Sequence, residues 1–484
     1  MVMRSTPIRP VSLLLAGLAL AVCWLPAAER RTDDRPNILF ILLDDLGKEW
    51  VSAYGAEEIE TPHVDRLAAT GTKFNHFYVM PQCTPTRLSF LTGQYPFRHG
   101  WVNHWDVPRW GGGAHYDWNL NPSIARVMQQ AGYRTAVAGK WQINDFRVQP
   151  EAMRDLGFDD YCMWTGGQGD DPRSELRYWD PYVHTKEGSA TRSGRYGDDV
   201  FADFLIDFMR RHRNEPMFLY FPMCLPHEPL VTTPAEPQVT SRMDKHKAMV
   251  RYADQLTGRL IQALDELGLR EDTLVIWTTD NGTSPSITGK MKGRPVKGGK
   301  TLTAESGICV PLIVNGPGRV AAGKVSDALL TIADMLPTFA EIARVKLQPQ
   351  FDYDGKPSAA ALLGQADRSP HEWILSMGGK NEARLTKAGV ENAYVYRDRV
   401  LRNERFKLYV DTQRRPVRLY DLLNDPWEEN NVIASGDPAV VAALDSLSRP
   451  LSQFPLRDRD PIYRPLSAQP WDVPIGAESQ VWKK

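Results

Sequence analysis

Cysteine is scarce in this chain: five residues in 484. Cys23 falls in an N-terminal apolar stretch, and Cys83, Cys162, Cys224 and Cys309 are too few to staple a chain of this length, which excludes a disulfide-built scaffold. One pair among Cys162, Cys224 and Cys309 stays open. Cysteine and histidine at zinc-binding spacing are absent, so no structural zinc is indicated. Net charge is nearly absent too, a formal −1 at pH 7, and nothing calls for nucleic acid or an anionic membrane as a partner. Any preference for anions must come from local charge. Internal repeats and low-complexity tracts are also missing.

What is present begins with an export pattern. Arg4 and Arg9 precede the apolar run VSLLLAGLALAVCWL, and Pro26-Ala27-Ala28 follow it. This reads as a signal peptide over residues 1–28, too short in its apolar part for a spanning helix. The protein is then periplasmic or secreted, with no stable membrane span after cleavage. An uncleaved anchor is the competing reading.

Hydrophobic residues make up 42% and charged residues 24%, enough for a large core. Residues 36–43, PNILFILL, are a continuous apolar run ending at Asp44-Asp45, as expected of a strand covered on both faces. TLVIWTTDNG at 273–282 repeats the design and ends at Asp280-Asn281. Helical patterns intervene at 121–132, 199–212 and 251–268, with Pro122 near the start and Gly132 at the end of the first. Alternating helices and buried strands predict an α/β fold, in which ligands gather outside the C-terminal strand ends. From about 373, short runs such as AYVYR, RVLRN, FKLYVD and VRLYDLL predict a small antiparallel sheet. The expected division is a first domain over 33–365, a subdomain over 373–465 and a tail over 466–484.

Asp44, Asp45, Asp280 and Asn281 therefore place four hard oxygen donors at one sheet edge, the ligand type that calcium takes. The competing reading of an isolated Asp-Asp pair is a solvated loop or helix cap. The run CTPTRLSFLTG from Cys83 sets a cysteine, a proline and an arginine at C-x-P-x-R spacing. On its own, Cys83 also reads as a buried small hydrophobe.

Taken together, these strings resemble the sulfatase family. CTPTR and the trailing Leu91-Thr92-Gly93 are similar to its signature; NILFILLDDLG and TTDNGT to its two metal-binding motifs. GYRTAVAGKW at 132–141, LPHEP at 225–229, GGKTLTAESG at 298–307 and RLYDLLNDPWEENNV at 418–432 follow the family's pattern. The resemblance implies an alkaline-phosphatase-like fold: a large mixed, mostly parallel sheet sandwiched by helices, carrying the catalytic site, with a smaller C-terminal antiparallel-sheet α+β subdomain. It implies that a formylglycine-generating maturation enzyme recognises Pro85 and Arg87 and oxidises Cys83 to formylglycine (3-oxoalanine), whose hydrate is the nucleophile. A covalent intermediate would split sulfate ester hydrolysis into two easier steps.

Carried over by position, the resemblance makes Asp44, Asp45, Asp280, Asn281 and converted Cys83 the ligands of Ca2+. Arg87 would stabilise the ionised aldehyde hydrate, Lys140 would bind sulfate, and Lys300 would lie near the leaving oxygen. His227 would contact sulfate and protonate the departing alcohol, a task suited to its near-neutral reference pKa. One departure stands out. The family writes GKWH where this chain has GKWQ, and Gln142 can hydrogen-bond but cannot carry a proton away. Either Gln142 only orients the diol, or turnover is slowed.

WVNHWDVPRWGGGAHYDW, residues 101–118, offers Trp101, Trp105, Trp110, Tyr116 and Trp118 beside His104, Asp106, Arg109 and His115. Such a mixture suits a sugar pocket, or equally a loop whose aromatics cover the core. Residues 165–197, with Arg173, Arg177, Lys186, Arg192 and Arg195, read as a second specificity loop or a solvated insertion. With export, these features point to a sulfated carbohydrate as substrate of the sulfuric ester hydrolase that the resemblance implies. The alternatives are a phosphoester or phosphonate hydrolase on the related fold, and a weakened, glycan-binding homologue.

Overall fold

The computed structural model of the protein describes residues 1–2, 33–102, 112–146, 148–166, 175–378, 382–386, 389–392, 394–460, 462–465 and 482–483. The signal peptide expected over residues 1–28, apart from its first two residues, and the expected tail over 466–484, apart from Trp482 and Lys483, lie outside them. So do His104, Trp105, Asp106, Arg109, Trp110 and Arg173.

Strand Asn37–Leu43 runs through the middle of an eleven-stranded sheet, and every one of its residues is buried. Its side chains alternate between two cores. Ile38, Phe40 and Leu42 face one that includes helices Cys83–Thr92 and Met335–Ile342, while Leu39, Ile41 and Leu43 face helices Gly197–Arg211 and Arg242–Glu266. This is the physical content of an uninterrupted apolar run: both faces are covered, so no polar position is needed. Phe40 stacks on Phe90 at 4.1 Å between ring centroids, locking the first helix against the sheet.

Thr273–Thr279 pairs in parallel on one side of the central strand and Met217–Pro222 on the other; Arg134–Lys140 pairs in parallel with Met217–Pro222 and with Asp160–Trp164. Cys309–Asn315 is antiparallel to Thr273–Thr279 and to Thr72–Tyr78, so the sheet is mixed but parallel at its centre. Five parallel strands thus release their C-terminal ends on one edge. The expected α/β sandwich is observed.

Ile374–Met377, Arg399–Arg402, Phe406–Val410 and Pro416–Asp421 form a four-stranded antiparallel sheet backed by helix Pro438–Ser448. AYVYR is not one of its strands; Tyr394–Tyr396 bend instead, and the Arg397 amide is taken by the Asp458 carboxylate. Lys407, fully buried, bridges Glu305 and Glu428 at 2.9 Å each and so ties this sheet to the AESG segment. Cys83, Cys162, Cys224 and Cys309 are all free thiols, so the pair left open above does not form. Among the described residues, no helix is long and apolar enough to cross a membrane.

Candidate active site

The central strand stops where its apolar residues stop, at Asp44 and Asp45. Asp44 N donates to Leu225 O (2.9 Å) and Asp45 N to Asp280 Oδ1 (3.1 Å), which draws the DD, LPHEP and DNG turns together. Asp45 holds a left-handed backbone (φ +62°), one that aspartate tolerates better than most residues. Asn281 Nδ2 donates to Asp45 Oδ1 at 2.8 Å.

Cys83 opens helix Cys83–Thr92, all of whose residues are buried. Thr86 Oγ accepts from Met80 N (3.0 Å) and donates to Asp280 O (2.6 Å), pinning the helix start to the DNG turn. Cys83, Asp44 and Asp280 offer ligand atoms within 4.8 Å of one another, as do Asp44, Asp45 and His227. Asp44 Oδ1 and Asn281 Oδ1 are buried without a hydrogen-bond partner. Unpaired buried oxygens are costly unless something polar or charged meets them. Three carboxylates and an amide oxygen are a donor set that fits a hard divalent cation.

Three cations surround this acidic knot. Lys140 Nζ lies 2.5 Å from Asp44 Oδ2, Lys300 Nζ 2.7 Å from Asp45 Oδ2, and Arg87 Nε and Nη2 donate to Asp280 Oδ2 at 3.1 and 2.8 Å. Burial drives the Asp44 carboxyl up, but Lys140, His227, Arg87 and Lys300 overcome it and hold it well below the usual range. Burial and the neighbouring Asp44 push Asp280 up to about 7 despite Arg87. Burial also raises Asp45. Three side-chain cations thus face three carboxylates, and burial still raises two of the three acids.

Gly139 places Lys140. At φ +131° it passes so close to Pro222 that a Cβ would stand 2.0 Å from that carbonyl oxygen. Lys300 N bonds to Thr283 O (3.0 Å) and Thr301 N to Pro81 O (2.7 Å), fastening the GGK turn to the DNG and cysteine turns. His227 presents Nε2 at 3.5 Å from Asp45 Oδ2, and burial with the nearby Lys300 holds its imidazole well below the ordinary pKa. Gln142 is buried, its Oε1 without a partner and its carbonyl accepting from Thr84 Oγ1 (3.1 Å) beside the helix start.

All ten residues singled out in the sequence thus meet at one edge. Two others were missed. Glu49 is buried beneath the DNG turn and accepts from Thr283 Oγ1 (2.5 Å), which itself accepts from Gly47 N. Arg177, assigned above to a specificity loop or solvated insertion, is buried and reaches His227. No local pattern marks either, because their partners are distant in sequence. Lys186, Arg192 and Arg195 are exposed. Trp101 and Tyr116 are buried in the core, as the covering-loop reading expects.

Known proteins share this arrangement's sequence and fold. The sulfatase family's sequence profile matches residues 36–345. An N-acetylgalactosamine-6-sulfatase of Rattus norvegicus is 31% identical over 387 residues, covering 74% of this chain and 71% of that protein. An N-acetylgalactosamine-6-O-sulfatase of Bacteroides thetaiotaomicron is 27% identical over 507 residues, covering 90% and 97%. The crystal structure of Ps i-CgsB superposes with a TM-score of 0.73 at 24% identity, over 88% of this chain and 95% of that one.

Proposed function

The chain belongs to the sulfatase family and is a sulfuric ester hydrolase, and from that premise we propose that it cleaves sulfate esters of carbohydrates using a formylglycine made from Cys83 and a bound calcium ion. The observation that carries this reading is the cluster itself: Cys83 beside Asp44 and Asp280, with Asp44 Oδ1 and Asn281 Oδ1 buried and unpartnered.

Calcium, held by Asp44, Asp45, Asp280, Asn281 and the converted Cys83, would supply a hard positive charge to offset the sulfate oxygens. The converted side chain would supply a hydrated aldehyde, one hydroxyl attacking sulfur and the other reforming the carbonyl as sulfate leaves. Cys83 is wholly buried, so the maturation enzyme must reach it before this helix packs.

The chain's own residues do the rest. Arg87, buried and always charged, holds Asp280 from the nucleophile's own helix, balancing negative charge there. Lys140 and Lys300 bring two ammonium groups to bear on the sulfate, where exclusion of bulk water strengthens them. His227 donates a hydrogen bond toward the bridging oxygen of the departing alcohol. Gln142 orients the nucleophile through its amide and cannot remove a proton from it.

Two relatives are named for N-acetylgalactosamine 6-sulfate, which supports a sulfated carbohydrate as substrate class. The N-terminal pattern over residues 1–28 supports export, where such polymers are met. The test is mass spectrometry of the peptide spanning residues 74–87 from protein co-expressed with a maturation enzyme, alongside assay of Cys83→Ala. An aldehyde at position 83, and loss of hydrolysis by on the order of 10⁴ or more in the variant, is the expected result. An intact thiol in active protein would overturn it.

A further inference from the structure

We propose that Arg177 is a positioning residue that sets the tautomer of His227, an inference that rests on the placing of His227 in the site described above. Arg177 Nη2 lies 2.9 Å from His227 Nδ1. A guanidinium has only donors, so in this contact the imidazole nitrogen must accept. With Nδ1 as acceptor, a neutral ring carries its proton on Nε2. That is the nitrogen facing Asp45.

The arrangement is contested, which is what gives Arg177 a task. The carbonyl oxygen of Glu228 lies 2.6 Å from the same Nδ1 and would draw the proton there, leaving Nε2 with only a lone pair. An imidazole cannot satisfy both neighbours. The bond from a charged donor is roughly twice as strong as a neutral one, so Arg177 prevails and keeps Nε2 a donor. Without Arg177, Glu228 O at 2.6 Å is the sole partner of Nδ1, a closer acceptor than Asp45 Oδ2 at 3.5 Å from Nε2, and the tautomer reverses.

Arg177 is held for this purpose from several sides. Its guanidinium carbon lies 4.5 Å over the Trp164 ring and 5.4 Å from the Tyr178 ring centre. Trp164 ends the strand paired with the one that delivers Lys140, so the stacking platform belongs to the same rigid edge. Tyr178 Oη donates to Cys224 O at 2.7 Å and also contacts His227 O, which fixes the turn bearing the histidine. Behind Arg177 the backbone is closely packed: a Cβ on Gly197 would stand 1.9 Å from the Arg177 carbonyl oxygen. Arg177 Nε is buried and makes no hydrogen bond. Among the described residues no carboxylate pairs with it, so the side chain is stacked and aimed.

The consequence is specific to the leaving group. An Nε2–H donor can bind the oxygen of a departing alcohol; a bare Nε2 lone pair would repel it. Loss of Arg177 should therefore matter for a poor leaving group and little for one that departs unaided, and it should act on kcat more than on KM.

The experiment uses the matured full chain with calcium, labelled with 15N-histidine, in wild-type, Arg177→Met, Arg177→Lys, His227→Ala and Arg177→Met/His227→Ala forms. Long-range 1H–15N correlation, with the His227→Ala spectrum assigning the resonance, reports the tautomer without requiring turnover. Wild type should show Nε2–H and Arg177→Met Nδ1–H, with Arg177→Lys, which keeps a charged donor, returning toward Nε2–H. Arg177→Met should lose about 10–100-fold in kcat on cyclohexyl sulfate, with a much smaller change on 4-nitrophenyl sulfate. Adding it to His227→Ala should cost nothing more. An unchanged Nε2–H tautomer in Arg177→Met, or a loss that persists in full in the His227→Ala background, would overturn the proposal. If His227→Ala were itself fully active on cyclohexyl sulfate, the assigned role of His227 would fail, while the spectrum would still decide whether Arg177 sets its tautomer.

Discussion

Lys140 Nζ sits 2.5 Å from Asp44 Oδ2 with both side chains wholly buried. Such a pair stabilises little in itself, because desolvating two charges consumes most of the Coulomb gain. Its place at the ends of two parallel strands explains it better as a functional feature. The lysine's orientation is set by the sheet, and its charge is stored in a dry site.

Removal of a divalent ion should be readable as stability. Calcium added to chelator-treated protein should raise the melting temperature, by the equivalent of about 2.7 kcal/mol at a hundredfold excess over Kd. Asp44→Asn and Asn281→Ala should abolish that response in a thermal-shift titration. A wild-type melting curve indifferent to both chelator and calcium would refute the ion site.

Glu49 predicts a pH dependence of stability. Burial pushes its carboxyl from an ordinary 4.5 up to about 7, against the Thr283 hydrogen bond that lowers it. Its folded form therefore binds a proton more tightly than its unfolded form. The resulting contribution is full below pH 4.5 and is lost as pH rises through 7, a change of roughly 3 kcal/mol. Glu49→Gln should flatten this part of the profile and be more stable than wild type at pH 8, as urea midpoints across pH 4.5–8 would report.

Gly139→Ala should destabilise by about 3 kcal/mol or more, since its Cβ would meet the Pro222 carbonyl oxygen at 2.0 Å from a backbone at φ +131°. Activity should fall with it, because the displaced strand end carries Lys140. A variant with wild-type urea midpoint and kcat would show that the strand end yields freely.

Gln142→His should raise kcat on 4-nitrophenyl sulfate by about tenfold or more, by returning a group able to take a proton beside the helix start. Steady-state kinetics on matured protein would measure it. A slower or unchanged variant would mean that proton transfer at this position does not limit turnover.

Much of the architecture was legible along the chain because it is written in local patterns. Both-face burial of Asn37–Leu43 and Thr273–Thr279 shows as unbroken apolar runs, and the acidic residues mark where those runs end. Helix boundaries were less legible. The helix expected from 251 begins at Arg242, where Ser241 caps it by accepting from Asp244 N, a start signal lying upstream of the periodic stretch. AYVYR has strand composition, yet its described residues Tyr394–Arg397 join no strand, since β-propensity expresses fit to a sheet rather than a preference of the segment itself.

The sequence by itself determined the cast of the site: the acid pairs at two strand ends, Cys83 and Arg87 in one C-x-P-x-R motif, Lys140, His227 and Lys300 in theirs, and glutamine at 142. Side-chain chemistry and strand termination are local properties, readable without a fold. Only the tertiary structure decided that Arg177 leaves its apparent surface loop to reach His227 and that Glu49 lies sealed beneath the DNG turn. The Lys407 link from the C-terminal sheet to Glu305 was equally a tertiary outcome. Those relations join residues far apart in the chain, and they exist only because packing removes water and brings the groups within hydrogen-bonding distance.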